Sequence, residues 1–171
     1  SGVFHILHKH CQRVTMANLA QLVNVLGAVQ TKGEKIILTP IYYAFLLYSN
    51  NTGNYLLESD VESEKYNFQY QDKKIENVPF IDVSATEDDK NIYVSVINRK
   101  EKKEEVKIEI EKKVKNEGEI LILTGENPTA VNTTEKEEVK IEKENYNKFS
   151  QKFNFTFLPH SATILKIEKN E

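Results

Sequence analysis

Ile81-Asp82-Val83-Ser84-Ala85, the turn Glu87-Asp88-Asp89-Lys90-Asn91, and then Ile92-Tyr93-Val94-Ser95-Val96-Ile97-Asn98 decide the fold. The second run is rich in β-branched and aromatic residues, and a cluster of Asp and Asn separates it from the first, as in two strands joined by a tight turn. The same grammar continues downstream. Residues 104–111 alternate Val106, Ile108 and Ile110 against charges, 119–124 is a compact apolar run, and 138–143 alternates again. Phe153-Asn154-Phe155-Thr156-Phe157 and Thr163-Ile164-Leu165-Lys166-Ile167 close the series. Strands at this spacing with turn chemistry between them predict an antiparallel β-sandwich. The Lys/Glu-rich stretches at 99–119 and 134–144 are not coiled coil, because their apolar positions recur every second residue. Their charges read as solvent faces of strands.

Upstream of residue 50 the pattern differs. Val3, Ile6, Leu7 and His10 lie at helical spacing, which predicts a helix ending near Arg13. Val14 to Gln21 predicts a short buried strand. Val23–Val29 and Ile36–Leu38 are short apolar runs flanking the polar turn 30–35. Thr39-Pro40 predicts a helix start, with Tyr43, Leu46 and Leu47 on one face and the linker Ser49-Asn50-Asn51-Thr52-Gly53-Asn54 at its end. The predicted domains are therefore 1–50 and 51–171.

The whole-chain numbers limit the function classes. The 171 residues are 39% apolar and 29% charged, with a formal net charge of −3. Basic residues are interleaved with acidic ones, so no field favours nucleic acid or an anionic membrane. No run approaches a membrane span. The single cysteine, Cys11, precludes an intramolecular disulfide. The expected localisation is cytoplasmic, with secretion left open, since no basic segment followed by a long apolar run opens the chain.

Candidate sites are few. His5, His8 and His10 lack the spacing and the acidic companions of a metal site. Cys11 has no evident base. The acidic residues sit in charged strands and turns, where they stay ionised, so no carboxylate pair suited to glycoside hydrolysis is found. Tyr66, Phe68 and Tyr70 alternate. They read as core or half-buried strand residues, or alternatively as the aromatic strip of a non-catalytic carbohydrate-binding module. Asn18, Gln21 and Asn24 stand out in the otherwise apolar run 16–25. Asn18 and Asn24 read as backbone caps, whereas Gln21 offers a donor and an acceptor to a hydroxyl-rich ligand.

The segment His8-x-His10-Cys11-x-Arg13-Val14-x-Met16-Ala17-Asn18-Leu19-Ala20-Gln21-Leu22-Val23-Asn24-Val25 resembles the end of the catalytic barrel of family 51 glycoside hydrolases, the α-L-arabinofuranosidases. Leu38-Thr39-Pro40-x-Tyr42-Tyr43-x-Phe45-x-x-Tyr48 resembles their last barrel helix, and residues 82–99 and 158–165 resemble strands of their C-terminal sandwich. The resemblance implies a mainly β chain: a jelly-roll-like sandwich preceded by the last helix, strand and helix of a (β/α)8 barrel. It implies that Gln21 binds substrate and that the two catalytic glutamates lie on barrel strands outside these residues. It implies no cofactor and no metal. The expected partners are an arabinose-containing oligosaccharide, the missing barrel portion and a second copy of the chain.

Overall fold

The computed structural model describes residues 1–170. Two helices, α1 (Gly2–Lys9) and α2 (Pro40–Asn50), flank a small hairpin made of β1 (Val29–Lys32) and β2 (Lys35–Leu38). Its two-residue connection places Gly33 at φ 62°, a conformation that glycine adopts without cost. Ten strands follow: β3 (Tyr55–Leu57), β4 (Lys65–Tyr70), β5 (Lys73–Pro79), β6 (Ile81–Glu87) and β7 (Asn91–Asn98), then β8 (Glu104–Glu109), β9 (Val114–Thr124), β10 (Lys140–Tyr146), β11 (Lys152–Phe157) and β12 (Ser161–Lys169).

The main sheet is antiparallel, in the order β10-β9-β12-β7-β6-β3. β8 and β11 pair with each other and cover one of its faces. Between these layers lie Ile92, Val94, Val96, Ile108, Ile120, Phe157, Leu165 and Ile167. The opposite face is covered by the helices, where Tyr43, Ala44, Leu47 and Tyr48 of α2 pack on Tyr93, Ile97, Leu121, Leu123 and Ile164. β7 is therefore buried on both sides, which is why its sequence is apolar from Ile92 to Ile97 with Ser95 as the one polar interruption. β8 instead alternates exposed Glu105, Lys107 and Glu109 with Val106 and Ile108, so the charged stretch is strand. Asp88 closes the β6–β7 turn by accepting hydrogen bonds from the Lys90 and Asn91 amides at 2.8 and 2.7 Å.

Three expectations are corrected. The first helix ends at Lys9 and buries His5, with Phe4 packed on Phe45 and Tyr48, while Val3 and Ile6 face solvent. Residues 14–21 form no strand and are exposed, because no described strand lies alongside to take their backbone hydrogen bonds. Tyr66 is half-buried, but Phe68 and Tyr70 are exposed, since β4 and β5 form a separate ribbon that pairs only with itself. No helix among the described residues is long and apolar enough to cross a membrane.

Candidate functional site

Gln21 is exposed at the start of a tightly bonded turn. Immediately after it, the Leu22 carbonyl accepts from the Val29 amide at 3.0 Å, and the Asn24 amide donates to the Val29 carbonyl at 2.7 Å. The chain loops round between them, so that residues 23 and 29 run parallel. The Gly27 amide closes the turn on the Asn24 carbonyl at 2.7 Å, and both Asn24 and Val25 adopt left-handed φ, 58° and 51°. Glycine at 27 permits the close approach, because a Cβ there would stand 2.7 Å from the Leu22 carbonyl oxygen. The Asn24 side chain clasps Thr31: Oδ1 accepts from the Thr31 amide at 2.8 Å, and Nδ2 lies 3.1 Å from Thr31 Oγ1. Asn24 is thus a backbone tie, as its sequence context suggested. Among the described residues, neither Asn18 nor Gln21 has a side-chain hydrogen bond within the chain. Around Gln21, Met16, Leu22, Val23, Val25 and Leu26 expose apolar side chains to solvent.

This turn is fastened to the rest of the molecule through α2. Thr39 precedes Pro40 as predicted, but its hydroxyl makes no cap to the helix amides. It donates instead to the Ala28 carbonyl at 2.9 Å, and its amide donates to the same oxygen at 3.0 Å. At the other end of α2, a buried polar cluster pins both helices to the sheet. Tyr48 OH lies 2.9 Å from His5 Nε2 and accepts from Ser95 Oγ at 2.9 Å. His5 Nε2 also lies 3.0 Å from Ser95 Oγ, and its Nδ1 lies 3.4 Å from Asp82 Oδ1. Arg99 Nη2 donates to Asp82 Oδ2 at 2.9 Å, and His8 Nδ1 lies 2.9 Å from Ser84 Oγ.

The electrostatics follow from burial and pairing. Burial works against the Asp82 carboxylate, yet the nearby His5 ring and the hydrogen bond from Arg99 outweigh it and hold its pKa well below the usual range. Burial lowers the pKa of His8, and the neighbouring His5 adds to the effect. Burial pushes the Tyr48 hydroxyl up to about 12. Ser95, His5 and Asp82 have the connectivity of a nucleophile, a base and an orienting acid. They cannot act as one, because Ser95 is 4% and His5 0% exposed beneath the helices, out of reach of any substrate. The cluster is a fastening. It also accounts for two of the three early histidines without a metal, and His10 and Cys11 are exposed beyond it.

One cleft of about 490 Å³ is bordered by Glu117, Glu119 and Glu168. The hydrogen bond from Lys143 and further pairing with Lys166 lower the pKa of Glu119 and keep it ionised, and Lys115 pairs with Glu168 at 3.1 Å. A second, of about 500 Å³, is bordered by Pro40, Tyr66, Arg99 and His160. Gln21 lines neither. Tyr66 and Phe68 stand 6.0 Å apart with rings inclined by 29°, and Tyr66 leans on Phe80 at 4.6 Å.

An ordered sandwich thus stands beside an exposed, amide-bearing apolar edge. The family model for the alpha-L-arabinofuranosidase C-terminal domain matches residues 1–161. The chain belongs to that family. It is 37% identical to an α-L-arabinofuranosidase from Thermotoga maritima solved as an arabinose complex, with a TM-score of 0.91, covering 98% of this chain and 36% of that one. Alpha-L-arabinofuranosidase C from Emericella nidulans is 31% identical over 160 residues, 90% of this chain and 30% of that protein. An intracellular exo-alpha-L-arabinofuranosidase from Bacteroides ovatus is 35% identical over 95 residues, 54% of this chain and 18% of its own length. The chain therefore spans about a third or less of the length of these relatives. Its mainly β, antiparallel architecture is that of the matching arabinofuranosidase structures.

Sequence reasoning anticipated Asn24 as a backbone tie but missed the Thr31 and Thr39 partners and the His5–Tyr48–Ser95 cluster. The available signal was Ser95, a polar residue set between core Val94 and Val96.

Proposed function

We propose that this chain is the C-terminal portion of a retaining α-L-arabinofuranosidase that removes terminal arabinofuranosyl groups from arabinan- and arabinoxylan-type glycans. Residues 1–50 complete the wall of its catalytic (β/α)8 barrel, and residues 51–171 form the sandwich that braces it. The two reacting glutamates come from outside these residues, so the chain alone is inactive. In this reading residues 14–21 become a barrel strand only in the intact parent, Gln21 stands at its carboxyl end, where barrel enzymes build their sites, and its amide hydrogen-bonds the arabinose hydroxyls. The observation that carries this reading is the exposed edge 14–26, where a hydrogen-bonding side chain with no internal partner sits among unpartnered apolar ones. The missing part of a longer protein would cover that edge, and the relatives are about three times as long. We further place the parent in the cytoplasm, where the exposed thiol of Cys11 stays reduced.

The reading is tested in the intact parent with nitrophenyl α-L-arabinofuranoside. Replacing Gln21 by Ala lowers kcat/KM by about 10- to 100-fold, the worth of one or two hydrogen bonds in a dry site. An unchanged kcat/KM removes Gln21 from the sugar pocket.

A further inference from the structure

Gln21 has no side-chain bond of its own among the described residues, so the backbone just beyond it must hold it in place. Three contacts do so. The Leu22 carbonyl and the Asn24 amide are both bonded to Val29, and the Asn24 side chain grips the amide and hydroxyl of Thr31. The first two are ordinary main-chain bonds. The third is side-chain chemistry, and it spans the base of a turn in which two successive non-glycine residues take left-handed φ. One of them is Val25, a β-branched residue that rarely adopts this conformation. Such strain persists only where the surroundings over-determine it, and it concentrates at ligand sites. Val25 and Leu26 meanwhile expose 77% and 74% of their surface, so the turn is not held by packing within this chain.

We infer that Asn24 is a positioning residue for Gln21. Its clasp on Thr31 fixes the loop at 24–27 and thereby aims the Gln21 amide at the sugar. The inference rests on the proposed role of Gln21. Asparagine suits the position twice over: it tolerates left-handed φ, and its carboxamide supplies the acceptor for Thr31 N–H. Ordering the strand end before substrate arrives removes a cost that a flexible Gln21 would incur on binding.

The test uses the intact parent enzyme, with kcat, KM and thermal melting measured for Asn24→Gly, Asn24→Asp, Gln21→Ala and the Asn24→Gly/Gln21→Ala double variant. Asn24→Gly keeps left-handed φ accessible and deletes only the clasp. The expected result is a fall in kcat/KM of about 5- to 10-fold for Asn24→Gly, on the scale of a displaced hydrogen bond. Asn24→Asp, which still accepts from Thr31, stays within about twofold of the unmodified enzyme. The double variant is no worse than Gln21→Ala, because nothing remains to be aimed. A purely structural tie would give multiplied losses in the double variant. If Asn24→Gly does not fold, Thr31→Val carries the test by removing the hydroxyl without altering the turn, and its smaller loss must likewise vanish in the Gln21→Ala background. Full activity of Asn24→Gly beside an impaired Gln21→Ala overturns this inference alone. Full activity of Gln21→Ala overturns the role of Gln21 and with it the inference.

Discussion

Val25 carries the least comfortable backbone of the turn, a β-branched residue at φ 51°. A left-handed conformation costs an L-residue about 1–2 kcal/mol, which glycine escapes at the expense of a freer unfolded chain. Val25→Gly is therefore expected to stabilise the isolated chain against urea by about 0.5–1 kcal/mol, and a loss of stability would show that the turn carries no strain. Gly27 is the opposite case. A Cβ added there meets backbone atoms, the Leu22 carbonyl oxygen at 2.7 Å and the Val23 amide nitrogen at 2.8 Å, so nothing flexible can move aside. Gly27→Ala is expected to cost about 1–3 kcal/mol in the same denaturation experiment. The sequence made Gln21 and Asn24 conspicuous because amides in an apolar run need a reason. It could not show that Asn24 would find Thr31, since that pairing depends on a loop in which Val25 takes a left-handed φ that its residue type does not announce.

At the scale of elements, α1 and α2 are held to the main sheet by polar groups as well as by packing. Removing the Tyr48 hydroxyl by Tyr48→Phe leaves His5 Nε2 and Ser95 Oγ buried without it, and is expected to cost about 1–3 kcal/mol by thermal or urea denaturation. The same cluster sets a pH dependence. His8, faced by Ser84, His5 and Tyr48, resists protonation when folded, whereas the unfolded imidazole takes a proton near 6.5. The unfolded state then binds more protons, so stability falls as the pH drops below about 6.5. Asp82 has the depressed pKa of a paired carboxylate, so its contribution is present above the unfolded value of 3.8 and is lost as the pH falls towards its folded one. Melting temperature should accordingly decline in two stages on acidification, the first abolished by His8→Gln and the second by Asp82→Asn. A melting temperature flat between pH 7 and about 5 in the unmodified chain would contradict the first assignment. The strands from β6 to β12 were legible because apolar residues recur at period two or in compact runs with turn residues between. The buried face of α1 was not. Its apolar positions, Val3 and Ile6, point outward, while His5 and His8 turn inward to meet Ser95, Asp82 and Ser84, a polar match that hydropathy cannot register.

Across the whole molecule, a line of contacts runs from the sandwich through Ser95, Tyr48, α2, Thr39 and Ala28 to the turn that carries Gln21. The sandwich braces one end of that line, and the other end is an apolar edge without a cover. The predicted strand at 14–21 illustrates why this part was misread: a strand needs a neighbour, and the residues that pattern as one find none among the described residues. For the isolated protein, brief proteolysis is expected to cut within residues 11–26 and leave the sandwich intact. Light scattering is expected to show self-association through the same edge. Calorimetric titration with arabinan or xylan fragments should show no saturable binding, whereas a carbohydrate-binding module would saturate. The most direct test compares hydrogen exchange in this chain with that in the intact parent. Amides of residues 14–26 should exchange rapidly in the isolated chain and slowly in the parent, with residues 81–98 equally protected in both. Equal exchange of residues 14–26 in the two proteins would contradict the claim that this edge is the wall of a catalytic barrel.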